Sequence, residues 1–331
     1  MNNFRTLITR KSNNDTYIND IELKNIDWLG NGDVLIKVKY SSLNFKDALS
    51  AIGNKGVTKK YPHTPGIDAA GIVVESENDK FSVGDKVIVT GYDFGMNTNG
   101  GFSEYIRVPS EWIVKLPKQL SLRESMIYGT AGFTAALSVK KLLDYGIKQN
   151  NGPVLVTGAT GGVGSIAVSI LSKLQYTVIG LTGKPEYKDM LLKAGAKDIV
   201  LRKDFNDASE KILLSTKWNA VVDTVGGNLL ENALKTTKYN GCVTCCGNVA
   251  SYKLSTTVYP FILRGISLLG IDSVQCPMDI REKVWEKLST DWKINNLNDN
   301  VEEISLEQVD VNIQKILQGK LKGRTIINLA L

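Results

Sequence analysis

A chain of 331 residues is longer than one hydrophobic core usually supports, since single cores stop growing near about 250–300 residues, so two domains are expected. Charged residues at 22% and aromatics at 8% are ordinary globular values and exclude a disordered, collagenous or coiled-coil chain. The net charge of +6 is spread over single and paired bases interleaved with acids (Lys59-Lys60, Lys140-Lys141, Arg202-Lys203), which argues against a nucleic-acid surface.

The opening MNNFRTLITRKSNND turns polar early, and no apolar run reaches the roughly 18–20 residues that cross a bilayer, so a soluble cytoplasmic protein is expected. Up to about residue 120 the chain reads as β-rich. In DVLIKVKY (33–40) Val34, Ile36 and Val38 alternate with polar neighbours, the period of a half-buried strand. AGIVVES (70–76), DKVIVTG (85–91) and SEYIRVPS (103–110) read as further strands, and the Gly- and Asn-rich run 91–102 as a loop. Helical spacing begins in 120–147, with Ser121 three residues before Glu124 in a capping-box pattern. Strands and helices then alternate: strands at 153–157, 177–181, 198–201, 219–223 and 241–246, helices from near Gly162, over 187–195, over 207–217 and over 228–237. Unbroken apolar strands between amphipathic helices predict a parallel sheet covered on both faces. Past residue 263 come the apolar strand ISLLGID (266–272), helices near 279–290 and 306–318, and a last strand over 323–331.

VLVTGATGGVGSIAVSIL (154–171) joins a strand through a glycine-rich turn to a helix, the context a dinucleotide site requires. Glycines let the backbone approach a pyrophosphate, and the helix start at Gly161, Gly162 and Val163 offers N–H groups and the positive dipole end, with Thr160 beside them. NAD sites place an acid at the end of the second strand. VIGLTGKPEY (178–187) has none before Glu186; Thr182, Gly183 and Lys184 stand there instead, and Arg202 ends the next strand. That set suits the 2′-phosphate of NADPH, which a carboxylate would repel.

His63 is the only imidazole in the chain, so neither a His-based hydrolase nor an imidazole-rich zinc site is supported. Cys242 and Cys245 lie in a β-rich run that points their side chains to opposite faces, Cys246 adjoins them, and Cys276 stands alone. No metal is expected.

The order of these parts, with SLNFKDAL (42–49), PGIDAAG (65–71), GTAGFTA (129–135), TGATGGVGS (157–165), DTVGG (223–227), TTVYPFILRG (256–265), LLGIDSV (268–274) and GRTI (323–326), resembles the medium-chain dehydrogenase/reductase family over the whole chain. It is most similar to the zinc-free quinone-oxidoreductase branch and, within it, to the acrylyl-CoA reductase type. The resemblance implies an α/β fold: a GroES-like β-rich catalytic domain (1–122 and 264–331) into which a Rossmann doubly wound parallel sheet (123–263) is inserted. Where zinc-dependent relatives carry a Cys and a Gly-His-Glu, this chain has Asn44 and Gly66-Ile67-Asp68, and His63 is left as a surface or packing residue.

By the same resemblance, Asn44 would orient the nicotinamide or the substrate carbonyl and Lys46 would stabilise enolate charge. Asp47 would orient Lys46 or relay a proton, unless Lys46 and Asp47 simply start a helix. Phe45, Thr130, Asn248, Ile262, Ser273 and Arg324 would lie by the cofactor, and Arg264 is the expected base for an anionic CoA portion. The implied activity is NADPH-dependent hydride transfer to the β-carbon of a short 2-enoyl-CoA, acrylyl-CoA among them. Reduction of quinones or free enones is a second reading, and a non-catalytic NADPH sensor a third. A homodimer is expected, joined at the edge strand 266–272.

Overall fold

The computed structural model describes residues 3–207 and 209–331, which divide into two units. Unit 1 holds the residues up to Thr130 together with Val274–Thr290 and Leu297–Leu331; unit 2 holds Ala131–Ser273 and Asp291–Asn296.

Unit 1 opens with a hairpin of β1 (Phe4–Lys11) and β2 (Tyr17–Lys24), paired from Phe4↔Lys24 to Lys11↔Tyr17. β3 (Val34–Ser42) follows and runs two residues beyond the alternation read from the sequence. After it come α1 (Phe45–Ala51), β4 (Asp68–Ser76), β5 (Lys86–Thr90), β6 (Tyr105–Val108) and β7 (Ile113–Lys115). The alternating valines and isoleucines of these strands meet Phe94 and Phe102 in one buried cluster. His63 is enclosed there, its Nε2 3.1 Å from the Gly95 carbonyl, so it is a packing residue and not a surface one.

α2 (Leu122–Tyr145) starts as expected. The Ser121 N–H donates to Glu124 Oε2 at 2.8 Å and the Glu124 N–H to Ser121 Oγ at 3.1 Å, a reciprocal cap. The helix is broken at Gly129, whose φ of 50° and ψ of −157° are non-helical. The division into units falls here, after Thr130, and not at the start of the helix near residue 122.

Unit 2 contains β8 (Val154–Thr157), α3 (Gly162–Lys173), β9 (Val178–Thr182), α4 (Lys188–Lys193), β10 (Asp198–Leu201) and α5 (Arg202–Phe205). These are followed by β11 (Trp218–Asp223), α6 (Gly227–Thr236), β12 (Thr237–Cys245), α7 (Tyr259–Arg264) and β13 (Ser267–Gly270). All strands are parallel, in the order β10-β9-β8-β11-β12-β13. Numbered within the sheet this is 3-2-1-4-5-6, the doubly wound order whose reversal between β8 and β11 marks the ligand crevice. The sheet extends past residue 263, because β13 pairs with β12 from Cys242↔Ser267 to Cys245↔Gly270.

The helix expected over 207–217 is absent among the described residues. Its backbone groups bond outward instead: Leu214 N–H donates to the Lys235 carbonyl at 3.1 Å and Lys217 N–H to the Thr236 carbonyl at 2.8 Å. Asp207 accepts from Ser209 Oγ at 2.5 Å, a side-chain bond that competes with helix initiation.

The chain then returns to unit 1 with α8 (Met278–Ser289), β14 (Val301–Ile304), α9 (Val309–Leu317) and β15 (Arg324–Asn328). β15 pairs antiparallel with β3, Ile326 opposite Ser42, and completes the sheet order β14-β15-β3-β4-β5-β7, with β6 also on β3. This pairing brings Arg324 beside the end of β3, 282 residues earlier in the chain. Among the described residues no helix is long and apolar enough to cross a membrane.

Candidate active site

Asp68 begins β4, is fully buried, and gathers side chains from three other stretches of unit 1. Its Oδ2 accepts Ser42 Oγ at 2.5 Å and Asn44 Nδ2 at 2.8 Å. Thr130 donates its hydroxyl to Oδ1 at 2.5 Å and its N–H across both oxygens at 3.0 and 2.9 Å. Arg324 Nη2 lies 3.9 Å from Oδ2 and donates to Ser42 Oγ at 2.8 Å; its Nη1 donates to Asn44 Oδ1 at 3.2 Å and its Nε to the Ile127 carbonyl at 2.8 Å. A carboxylate has about four lone-pair sites, and these donors occupy them. Glycine is required at 129, since a Cβ there would lie 2.4 Å from Asp68 Oδ2 and 2.5 Å from Ser42 Oγ.

Asp47, at the third position of α1, does not face Lys46. Its Oδ2 reaches back to the Asn44 N–H at 2.8 Å and its Oδ1 accepts the Ile67 N–H at 2.8 Å. It therefore ties the residue before Asp68 to the residue that caps α1. Burial, reinforced by the neighbouring Asp68 charge, pushes the Asp47 carboxyl up to about 7 against those two donors. Lys46 is half-buried, with Nζ 4.0 Å from Met96 Sδ, and Phe45 is half-buried beside it on α1. The structure thus brings Asn44, Asp47, Thr130 and Arg324 together and leaves Lys46 outside their network. Ser42 and Asp68, the centre of that network, are not among the expected site residues; their sequence sign is their place in SLNFKDAL and PGIDAAG.

In unit 2 the glycine turn sits at the C-terminal end of β8. A Cβ on Gly164 would lie 2.3 Å from the Gly158 carbonyl, and Gly158 itself has φ 60°, so the turn is closed as only glycines permit. Across the strand-order reversal, Thr157 Oγ1 donates to Asp223 Oδ1 at 2.7 Å and accepts the Thr224 N–H at 3.0 Å. Burial raises the pKa of Asp223. Gly162 and Val163 form the half-buried first turn of α3, and Gly161 caps it.

The end of β9 differs from expectation at one residue. The Thr182 hydroxyl is buried and turned inward, 3.2 Å from Thr160 Oγ1 and accepting the Lys184 N–H at 3.0 Å, so it shapes the turn and is not presented to solvent. Gly183 and Arg202 are exposed, and the Arg202 guanidinium lies against Gly183, 3.1 Å from where a Cβ would be. Burial lowers the pKa of Lys184; the Glu186 carboxylate opposes this, and the positive Arg202 adds to the lowering. Two cations and one carboxylate thus share the turn, a net positive charge that suits an anionic ligand.

Asn248 and Ile262 are exposed on unit 2, and Ser273 is half-buried at its last position before the return. Arg264 does not present its charge to a ligand. Its Nη1 donates to the carbonyls of Lys235 (2.6 Å) and Thr237 (3.4 Å), and its Nη2 to that of Leu214 (2.6 Å). It caps the C-terminal end of α6, where the helix dipole favours a cation, and fastens the segment that was expected to be helical. Arg264→Ala is expected to cost about 2–3 kcal/mol in urea unfolding, because three carbonyls lose a charged donor, and to leave the KM for any CoA thioester unchanged.

Cys242 is buried in β12, and burial pushes its thiol and that of Cys246 up to about 12, so neither is a ready thiolate ligand. Among the described residues no three His, Cys, Asp or Glu side chains are placed to hold a metal ion.

Residues 30–118 match the alcohol dehydrogenase GroES-like domain and residues 162–290 the zinc-binding dehydrogenase domain. The chain is 46% identical over 98% of its length to a Bacillus subtilis protein named as quinone oxidoreductase YhfP, covering 99% of that protein. The crystal structure of that protein, with NAD bound, superposes with a TM-score of 0.96 over 99% of this chain and 100% of the other. Acrylyl-CoA reductase AcuI of Ruegeria pomeroyi is 42% identical over 90% of both chains. The yhdH oxidoreductase from Salmonella enterica, solved with NADP, is 39% identical, with a TM-score of 0.95 over 98% of this chain and 99% of the other. With both domains matched, and with relatives above 40% identity along nearly the whole length, the chain belongs to the medium-chain dehydrogenase/reductase family, as an oxidoreductase of its quinone oxidoreductase-like branch.

Proposed function

We propose that the protein reduces the C=C bond of a short 2-enoyl-CoA, such as acrylyl-CoA, with NADPH. The cofactor part rests on one observation: Arg202 and Lys184 converge at Gly183, with no carboxylate at the end of β9. The cradle fits a dinucleotide, since Gly158 and Gly164 leave room only for backbone. Gly161, Gly162 and Val163 would hold the pyrophosphate, and Gly183, Lys184 and Arg202 the 2′-phosphate. NADPH would supply the hydride for the β-carbon. The S. enterica relative solved with NADP supports the choice, and the B. subtilis relative solved with NAD is the reason to test it.

The substrate part rests on the saturated Asp68 cluster and on the similarity to AcuI. Conjugate reduction asks only that charge gathering on the carbonyl oxygen be stabilised, and fixed donors each contribute about 3–4 kcal/mol to that. Asn44 is held by Asp68 through its Nδ2 and by Arg324 through its Oδ1, and its N–H by Asp47, so its orientation is set before substrate arrives. Lys46, whose Nζ lies 4.0 Å from the Met96 thioether, is assigned to the enolate charge. Asp47 becomes a positioning group in this scheme. A panel of acrylyl-CoA, longer 2-enoyl-CoA thioesters, free enones and quinones, assayed with NADPH and NADH, tests it. Turnover of acrylyl-CoA with NADPH well above all free enones and quinones is expected; the reverse ranking overturns the substrate, and no oxidation of NADPH by any of them overturns the enzyme.

The assembly reading is a homodimer through β13. That strand is one edge of the sheet, and the apolar Val258, Ile262 and Leu263, at and within α7 just before it in the chain, are exposed. Sedimentation is expected to give a dimer, and Val258→Glu with Leu263→Glu a monomer.

A further inference from the structure

A CoA thioester carries its reacting carbonyl at one end of the pantetheine arm and a pyrophosphate with a 3′-phosphate at the other. An enzyme that accepts it must face several negative charges away from the reacting carbons. Arg264, the base expected to do so, is committed to main-chain carbonyls.

The segment of unit 1 between Asp47 and Asp68 contains no carboxylate and bears Lys55, Lys59 and Lys60, all exposed. It leaves the C-terminal end of α1, the helix that Asn44 caps; seven residues of helix place it about 10 Å along from the Asn44 end. Several other bases are paired with a carboxylate, as in Lys140–Asp144, Lys235–Glu231 and Arg107–Glu75. No carboxylate lies within ion-pairing distance of Lys55, Lys59 or Lys60 among the described residues. The one acid of the adjoining loop 91–102, Asp93, is taken by Asn97 Nδ2 at 2.8 Å and Thr98 Oγ1 at 3.3 Å.

This basic loop is also ordered. Tyr17 and Tyr61 meet edge to face with centroids 4.7 Å apart, and Tyr61 donates its hydroxyl to the Ser50 carbonyl at 2.6 Å. The Lys55 ammonium lies 4.7 Å from the Tyr61 centroid and donates to the Lys59 carbonyl at 3.1 Å. Lys59 N–H donates to Asn97 Oδ1 at 3.2 Å. Gly53, at φ 84°, leaves its side-chain space to the Tyr17 ring. Three cations without a carboxylate partner thus lie on one short rim, and for Lys55 part of the cost of ordering the side chain is already met.

We propose that Lys55, Lys59 and Lys60 form the receiving site for the phosphates of a CoA thioester. The assignment rests on the 2-enoyl-CoA reading above. Lysine serves here as a point charge for phosphate, and because the contacts lie remote from the reacting carbons and are made equally in ground and transition states, their loss falls on KM.

The test compares acrylyl-CoA with the acrylyl thioester of pantetheine, which lacks the phosphates, in the parent and in Lys59→Glu/Lys60→Glu and Lys55→Ala variants. The charge-reversed pair is expected to raise the KM for acrylyl-CoA about tenfold, as for two partly exposed charged contacts, and to leave the KM for the pantetheine thioester where it was. Added salt should raise the parent's KM for acrylyl-CoA more than the variant's. Dephospho-CoA, as a competitive inhibitor beside CoA, separates the 3′-phosphate from the pyrophosphate as the group bound. An unchanged acrylyl-CoA KM in a parent that reduces acrylyl-CoA overturns the phosphate site alone, as does a rise in the KM for NADPH instead. A parent that reduces free enones but neither thioester overturns the substrate reading, and the site with it.

Discussion

Replacing Asp68 with alanine is expected to destabilise the protein by about 3–5 kcal/mol, because the buried Arg324 guanidinium loses the nearest opposite charge in a site that water does not reach. Burial already lowers the pKa of Arg324, and Asp68 and Asp47 are the charges that oppose this. The same substitution strips acceptors from Ser42, Asn44 and both donors of Thr130. Asn44 and Thr130 are the groups assigned to substrate and nicotinamide, and a displacement of about 1 Å at such groups costs on the order of 100-fold, so kcat/KM is expected to fall by about that factor. Urea unfolding and NADPH oxidation read the two effects separately. A variant with parental stability and activity within a factor of about two would show that the network is dispensable.

Asp68→Asn keeps the size of the side chain and removes its charge, while turning one acceptor oxygen into a donor, and the pH dependence isolates the effect of the charge on Asp47. Asp47 is pushed up to about 7 in the folded protein, above the ordinary value near 4 of an exposed carboxyl. The folded state therefore holds this proton more tightly than the unfolded chain. The corresponding stability is fully present below about pH 4, declines as pH rises toward about 7, and is flat above that. Burial is the larger cause of the rise and the Asp68 charge the second. In Asp68→Asn the decline is therefore expected to end at lower pH and to be smaller, in unfolding midpoints measured across pH 4 to about 8.

The two units differ in how much of them local pattern reveals. The doubly wound sheet is legible because β8, β9 and β11 are short apolar runs separated by amphipathic helices, and because Gly158 and Gly164 punctuate one strand–helix turn. Periodicity fails at 207–217, where the apolar spacing is helical but the backbone bonds to the end of α6 and to Arg264. It also misses β2, whose Ile18, Ile21 and Leu23 point to solvent, so that no buried face imposes an alternation. The Asp68 cluster could not have been read locally: residues 42, 44, 68, 130 and 324 meet only because β15 returns to β3 and Gly129 bends the chain beside them. Asn44 was recognisable from its motif, whereas the roles of Asp47 and Arg264 depend on which N–H and carbonyl groups happen to face them.

Removing the cations at the end of β9 is expected to change cofactor preference without changing the chemistry. In Lys184→Ala/Arg202→Ala the 2′-phosphate of NADPH would lose two charged donors. Hydrogen bonds to charged groups are each worth about 1.5–3 kcal/mol, so the KM for NADPH is expected to rise on the order of 100-fold. NADH lacks that phosphate, and its KM should change by no more than about twofold. The effect should be larger still for Gly183→Asp. The added side chain would meet the Arg202 guanidinium at about 3.1 Å, and that end is exposed and able to move. The new carboxylate would then pair with Arg202, offer an acceptor to the ribose hydroxyl and repel a phosphate, which reverses all three features of the turn at once. Inversion of the NADPH/NADH ratio of kcat/KM is the expected result. A ratio that moves less than about threefold in both variants would mean that the 2′-phosphate is not bound at this turn, because loss of even one charged contact should exceed that change.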